Sequence, residues 1–179
     1  MKTLFYDTET TGLNYWEHEM HQIAGLIIEN DDIIDTFNFN LRPLKNNIKE
    51  EALAFSKVSK SDILKYPHPT EAYSSFRNIL KKHGKLMLAG YNIAAFDNLF
   101  LKQWFIDNQS DLYKYVYSNC LDVMVLASQY LLDERESMDS FSLGAVAKKL
   151  NIPYDEKQLH NSIYDIKLTY EIYKIVKSI

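Results

Sequence analysis

Apolar positions along this chain change their spacing about a third of the way in. The first third reads as strands. Thr3 to Asp7 is an apolar run that ends in polar residues, as a buried strand does. Gln22 to Glu29, QIAGLIIE, is rich in isoleucine and predicts a second strand. Asn30, Asp31 and Asp32 supply turn residues. Ile33 to Leu41, IIDTFNFNL, partly alternates apolar and polar and predicts a half-buried third strand. Two strands joined by a short polar turn make a hairpin, so the pattern predicts a three-stranded meander.

Helical spacing then takes over. Ser59 to Lys65 predicts a short capped helix, and Thr70 opens another with Phe76, Ile79 and Leu80 on one face. Leu86 to Gly90, LMLAG, is a short buried strand. Ala94 to Ile106 returns to helical spacing at Phe96, Leu99, Phe100 and Gln103. Asp122 to Leu131 predicts a helix capped by Asp122, and Ser142 to Leu150 one ended by Asn151 and Pro153. His160 or Asn161 opens a last helix that packs through Ile166, Tyr170, Ile172 and Tyr173 and runs to the terminus at Ile179. Strands first, then strands alternating with helices, predict an α/β domain with a mixed sheet. No repeat, linker or low-complexity stretch divides the chain, so the expectation is a single domain over 1–179.

Composition narrows this picture without redirecting it. With 179 residues and 46% hydrophobic content, the chain can bury a sizeable core. A formal net charge of −4 gives no support for a broad electrostatic grip on nucleic acid, although a local patch or a bound cation can offset the average. Cys120 is the only cysteine, which excludes a disulfide framework and a thiolate zinc cluster and predicts a reducing, cytoplasmic setting. MKTLFYDTET lacks the long apolar stretch of a signal peptide, and no run has the length of a membrane span.

The candidate chemistry lies in acids placed at the ends of elements. In FYDTETTG, Asp7 and Glu9 are two residues apart, and a strand puts such residues on one face. Like charges that close repel unless something positive lies between them. Asp97 follows AGYNIAAF, one turn into the predicted helix, and Asp165 lies early in the last helix, in HNSIYDIKLTYEIY. Sites in open α/β sheets gather at strand ends and helix starts. Four carboxylates gathered there form an all-oxygen donor set, which suits Mg²⁺ or Mn²⁺. A pair of such ions can stabilise both the attacking and the leaving oxygen of phosphodiester cleavage. His160, five residues before Asp165, is a candidate general base, since an imidazole ordinarily titrates near 6.5.

These segments resemble the motifs of the DEDDh (DnaQ-like) 3′–5′ exonucleases, the proofreading-type superfamily with a ribonuclease H-like fold. DTETTG resembles its first motif, GYNIAAFDNLFL its second and HNSIYDIKLTYEIY its third, in that order and across nearly the whole length. ALAFSKVSKSDILKYPHPTEA is similar to the family's connector. AGYNIAAFD, CLDVMVLA and SFSLGAVAKKLNI are most similar to the exonuclease I-like branch, which degrades single-stranded DNA. The resemblance implies a five-stranded mixed sheet flanked by helices. It also implies that Asp7, Glu9, Asp97 and Asp165 hold two Mg²⁺ or Mn²⁺ ions and that His160 deprotonates the attacking water. Thr10, Gly12 and Leu13 would lie along the terminal nucleotide, and Asn92 and Phe96 would shape the same pocket. Two positions depart from the family pattern. Ser162 stands where a small apolar residue is frequent, and FSKVS lacks the usual glycine.

The resemblance implies a metal-dependent 3′–5′ exonuclease that releases mononucleotides from the 3′ ends of single-stranded DNA, with repair, replication, RNA turnover and nucleotide salvage all open as its pathway. Because its motifs fill the chain, short contacts near the 3′ end and low processivity are expected. An exoribonuclease acting on RNA or short oligoribonucleotides is the alternative within the same chemistry, separable only through contacts to the 2′-hydroxyl. A non-catalytic or polymerase-associated binding subunit is the alternative from another class. Keeping all four acids and His160 speaks against its inert form. The remaining features have ordinary readings. His18 and His21 read as surface loop residues, and Asp122 as a helix cap that could sit near the site. Most of the thirteen tyrosines read as packing residues, and Lys81, Lys82, Lys85, Lys148 and Lys149 as solvated helix ends.

Overall fold

The computed structural model describes residues 1–177. Strands β1 (Thr3–Thr10), β2 (Met20–Glu29), β3 (Asp32–Asn40), β4 (Leu86–Gly90) and β5 (Val116–Asp122) form one sheet in the order 3-2-1-4-5. The first three make the antiparallel meander, and β4 and β5 extend it in parallel with β1. Helices α1 (Glu50–Ser56), α2 (Lys60–Ile63) and α3 (Pro69–His83) precede β4. Helices α4 (Asp97–Asp107), α5 (Val123–Tyr130), α6 (Leu143–Lys149) and α7 (Ser162–Val176) follow it.

The period of two along β1 divides the core between the two faces of the sheet. Leu4 and Tyr6 pack with Phe76, Leu80, Phe100 and Phe105 from α3 and α4. Phe5 packs with Val123, Val146, Ile166 and Ile172 from α5, α6 and α7. Burying both faces places the ends of β1 and β4, at the centre of the sheet, beneath helices from both sides.

The meander, LMLAG and the capped helices lie close to where the pattern puts them, and the sheet is the mixed five-stranded one. The differences have physical causes. β1 continues past Asp7 to Thr10, because it pairs with β2 through Glu9↔Gln22. Asp7 and Glu9 therefore both lie inside the strand. α1 has no side-chain cap at Lys49, and β5 buries only Val116 and Asp122 while its middle is exposed or half-buried, so neither gives a periodic signal. The helix expected from Ala94 starts at Asp97, and residues 94–96 form a turn. His18 and His21 are buried, not surface residues: His21 is on β2, and the His18 ring lies against Gly12, where any side chain would collide with it. The expected run of the last helix from Val176 to Ile179 falls partly on residues outside those described.

Candidate active site

β1 supplies the first two carboxylates. Asp7 and Glu9 point to the α7 side of the sheet, opposite to Tyr6 and Thr8. The Ser56 hydroxyl, at the end of α1, donates to Glu9 Oε2 at 2.7 Å and lies 3.3 Å from His21 Nε2. Burial holds His21 down at about 4, so this imidazole is neutral near pH 7.

Asp97 arrives from the other face. As the first residue of α4 it is 3% exposed, and its Oδ1 accepts from both the Thr8 N–H at 2.9 Å and the Thr8 hydroxyl at 2.6 Å. The turn ahead of it is fixed from far along the chain. Asp122 caps α5 through the Met124 N–H at 3.1 Å. The same carboxylate accepts from Asn92 N–H at 3.1 Å and Ala94 N–H at 2.9 Å. These bonds hold Asn92 in the left-handed region at φ 61 and take Ala94 out of the helix. Asp122 is thus both a cap and the anchor of the loop that presents Asp97.

α7 supplies the last carboxylate. Asn161 caps it by accepting from Tyr164 N–H at 3.2 Å, which puts Asp165 in the first turn. Asp165 Oδ2 accepts from the His160 N–H at 3.0 Å. His160 has φ 66, a conformation that costs a non-glycine residue about 1–2 kcal/mol. The Ser162 hydroxyl, in one of the positions that departs from the family pattern, donates to Gln22 Oε1 at 2.8 Å and lies beside Asp7.

These residues share one cleft of about 440 Å³, lined by Asp7, Glu9, Asp97, His160 and Asp165 together with Asn92 and Phe96. Thr10, Gly12 and Leu13 continue from the end of β1 and are not among its lining residues. Thr10 and Gly12 are buried and Leu13 is 83% exposed. The cleft also has an apolar wall that sequence reasoning missed, made of Tyr91, Met124, Phe141 and Leu143. The Tyr91 hydroxyl donates to the Phe141 carbonyl at 2.6 Å and so ties the wall to the segment before α6. Ser56 and Thr8 were missed as well. Thr8 had a local signal, since it sits between the two acids in DTE; Ser56 had none.

The electrostatics of the cleft are those of buried acids that face one another. Burial, then Asp97, Glu9 and Asp165, raise the Asp7 carboxyl well above the usual range. Burial lifts Glu9 to about 7 against the Ser56 hydrogen bond, and Asp97 to about 6 against the two bonds from Thr8. Burial lifts Asp165 to about 6 against the His160 N–H and the Lys57 charge. Among the described residues, no three His, Cys, Asp or Glu side chains already stand in a ready-made ligand arrangement. The donor set nevertheless suits a hard divalent cation. Glu9, Asp97 and Asp165 each commit one oxygen to a protein donor that orients it. Asp165 Oδ1 is buried and has no partner among the described residues, an arrangement that costs free energy unless a donor or cation meets it.

Known proteins resemble this chain over nearly its whole length. The exonuclease family model RNase T matches residues 4–173. The PolC-type DNA polymerase III of Mycoplasmopsis pulmonis is 30% identical over 168 residues, which is 94% of this chain and 11% of that protein. Ribonuclease T of Shewanella sp. strain ANA-3 is 26% identical over 182 residues, covering 93% of this chain and 78% of that protein. Among solved structures, E. coli exonuclease I in its zinc-bound complex with single-stranded DNA superposes with a TM-score of 0.84 at 20% identity. The match covers 99% of this chain and 40% of exonuclease I.

Proposed function

This chain belongs to the RNase T exonuclease family of phosphodiester hydrolases, and from that premise we propose that it removes nucleotides from the 3′ end of single-stranded DNA. The observation that carries this reading is the cleft itself. Four carboxylates from three elements meet one imidazole there, and burial raises the pKa of every one of the acids. In this reading Asp7, Glu9, Asp97 and Asp165 hold two Mg²⁺ or Mn²⁺ ions. Bound there, the ions supply the charge that stabilises the attacking and leaving oxygens of hydrolysis. The chain's own groups do the rest. Thr8 and Ser56 fix the direction of two carboxylates, and His160 at the rim takes the proton from the attacking water. Phe96, Tyr91 and Phe141 offer ring faces against which a terminal base can stack.

DNA is favoured over RNA by the likeness to the PolC-type polymerase and to an exonuclease I structure that holds single-stranded DNA. The ribonuclease T relatives favour RNA, since the chain covers 78% of their length. Matched 5′-labelled DNA and RNA oligonucleotides, incubated with Mg²⁺, Mn²⁺ or EDTA beside a Glu9→Gln variant, decide between them. The expected result is a metal-dependent ladder shortening from the 3′ end of DNA and absent in the variant. A ladder on RNA alone moves the assignment to exoribonuclease, and no ladder on either substrate removes the free-standing enzyme.

A further inference from the structure

We propose that Lys57 is a positioning residue for His160, holding the peptide from which the imidazole projects. The inference rests on the assignment of His160 as proton acceptor. Lys57 Nζ donates to the carbonyl oxygens of Lys157 and Leu159, each at 2.9 Å. The Leu159 carbonyl belongs to the same peptide unit as the His160 N–H, which donates to Asp165 Oδ2. One peptide plane is therefore gripped at both ends, by an ammonium at its oxygen and a carboxylate at its hydrogen. It needs the grip, because His160 lies at φ 66, where a side chain clashes with its own backbone. If that plane turns, the imidazole swings away from the carboxylates.

The neighbours of Lys57 serve the same alignment. The Phe55 ring sits edge-on to the imidazole, with centroids 5.6 Å apart, and restrains its rotation. Ser56 bonds Glu9. Three consecutive residues thus register the His160 loop against the β1 carboxylate. Lys57 is itself left-handed, at φ 57 and ψ 32, just past the end of α1. Glycine takes that conformation freely and lysine does not. The backbone alone favours glycine, and the use of the ammonium accounts for the lysine.

That conflict supplies the test. Lys57→Gly relieves the backbone and removes the ammonium, Lys57→Arg keeps a cationic donor, and Lys148→Met is an exposed-lysine control. Each is assayed for thermal unfolding, for kcat and KM on a single-stranded oligonucleotide, and for amide hydrogen exchange of residues 157–161 without metal or substrate. Lys57→Gly is expected to unfold near the parent's temperature, to lose about tenfold or more in kcat with KM little changed, and to exchange about tenfold faster in 157–161. Lys57→Arg is expected to recover most of both, and the control to change neither. Unchanged exchange in Lys57→Gly, or faster exchange with kcat intact, overturns the proposal. A parent chain that cleaves no substrate overturns the functional reading instead, while the exchange data still decide whether Lys57 holds the loop.

Discussion

Asp35 on β3 and the carboxylates of the cleft carry the same charge and meet opposite surroundings. Asp35 accepts from Lys82 Nζ at 2.8 Å, His83 Nε2 at 2.7 Å and the Thr36 N–H at 2.9 Å. The bonds from Lys82 and His83 hold it at about 2. In the cleft, Glu9 and Asp97 are instead met by hydroxyls and N–H groups, which orient a carboxylate without neutralising it, and their pKa values rise to about 7 and 6. Away from the cleft, the chain meets this acid with a lysine and an imidazole. In the candidate site, it leaves the acids facing one another, a cost that a bound cation can offset.

Glu9→Gln attacks that contrast most strongly, since activity and stability are expected to move in opposite directions. Loss of one carboxylate should lower exonuclease activity on the order of 10³-fold. The same change removes a charge whose carboxyl is held at about 7 instead of the ordinary 4.5. The metal-free variant should therefore be more stable than the parent at pH 8, by about 1–2 kcal/mol. Chemical denaturation in EDTA reads this directly. A variant less stable than the parent would mean that Glu9 is a structural acid like Asp35.

The pH dependence of the metal-free chain is the next test, and its sign follows from the direction of the shifts. Glu9, Asp97 and Asp165 are raised, so between about pH 4 and 7 the folded state holds protons that the unfolded state has released. Stability from these groups is full below pH 4 and falls as pH rises to 7, by a few kcal/mol in sum, on the order set by about 1.4 kcal/mol per pKa unit. Asp35 is lowered and acts with the opposite sign: its contribution is present above about pH 4 and is lost as pH falls to 2. Thermal unfolding in EDTA should thus decline from pH 5 to 7, and excess Mg²⁺ should remove the decline. A flat profile between pH 5 and 7 would show that the cleft is not frustrated.

What could be read from the sequence divides along similar lines. Asp7 and Glu9 are legible because an acid pair at strand spacing inside an apolar run is a local conflict, and a local conflict asks for a cation. Asp165 is legible through the Asn161 cap that sets its helix turn. The start of α4 was misplaced because the Ala94 N–H is captured by Asp122, 28 residues later, and no helical pattern records that bond. Ser56 and Lys57 were illegible for the same reason carried further. Their partners Glu9 and Lys157 lie 47 and 100 residues away, so their roles exist only once the sheet and α7 are in place. His21 was misread as a surface residue because its polarity outweighed its place beside a buried isoleucine run.

Asp35→Asn is the smallest perturbation and the control on the whole comparison. Lys82 is 64% exposed, so its pair with Asp35 sits largely in water, where such pairs contribute about 0–1 kcal/mol. The variant should lose no more than that at pH 7, and its exonuclease activity should equal the parent's. The substituted position is on the outer strand of the sheet, two strands from β1, and touches none of the residues lining the cleft. Its distinctive signature should be on the acid side, where the loss of stability between pH 4 and 2 becomes shallower, while the decline from pH 5 to 7 in EDTA stays as it is in the parent. If Asp35→Asn flattened the neutral decline as well, the two sets of acids would be coupled through the sheet, and the separation between a paired structural acid and a frustrated functional cluster would fail.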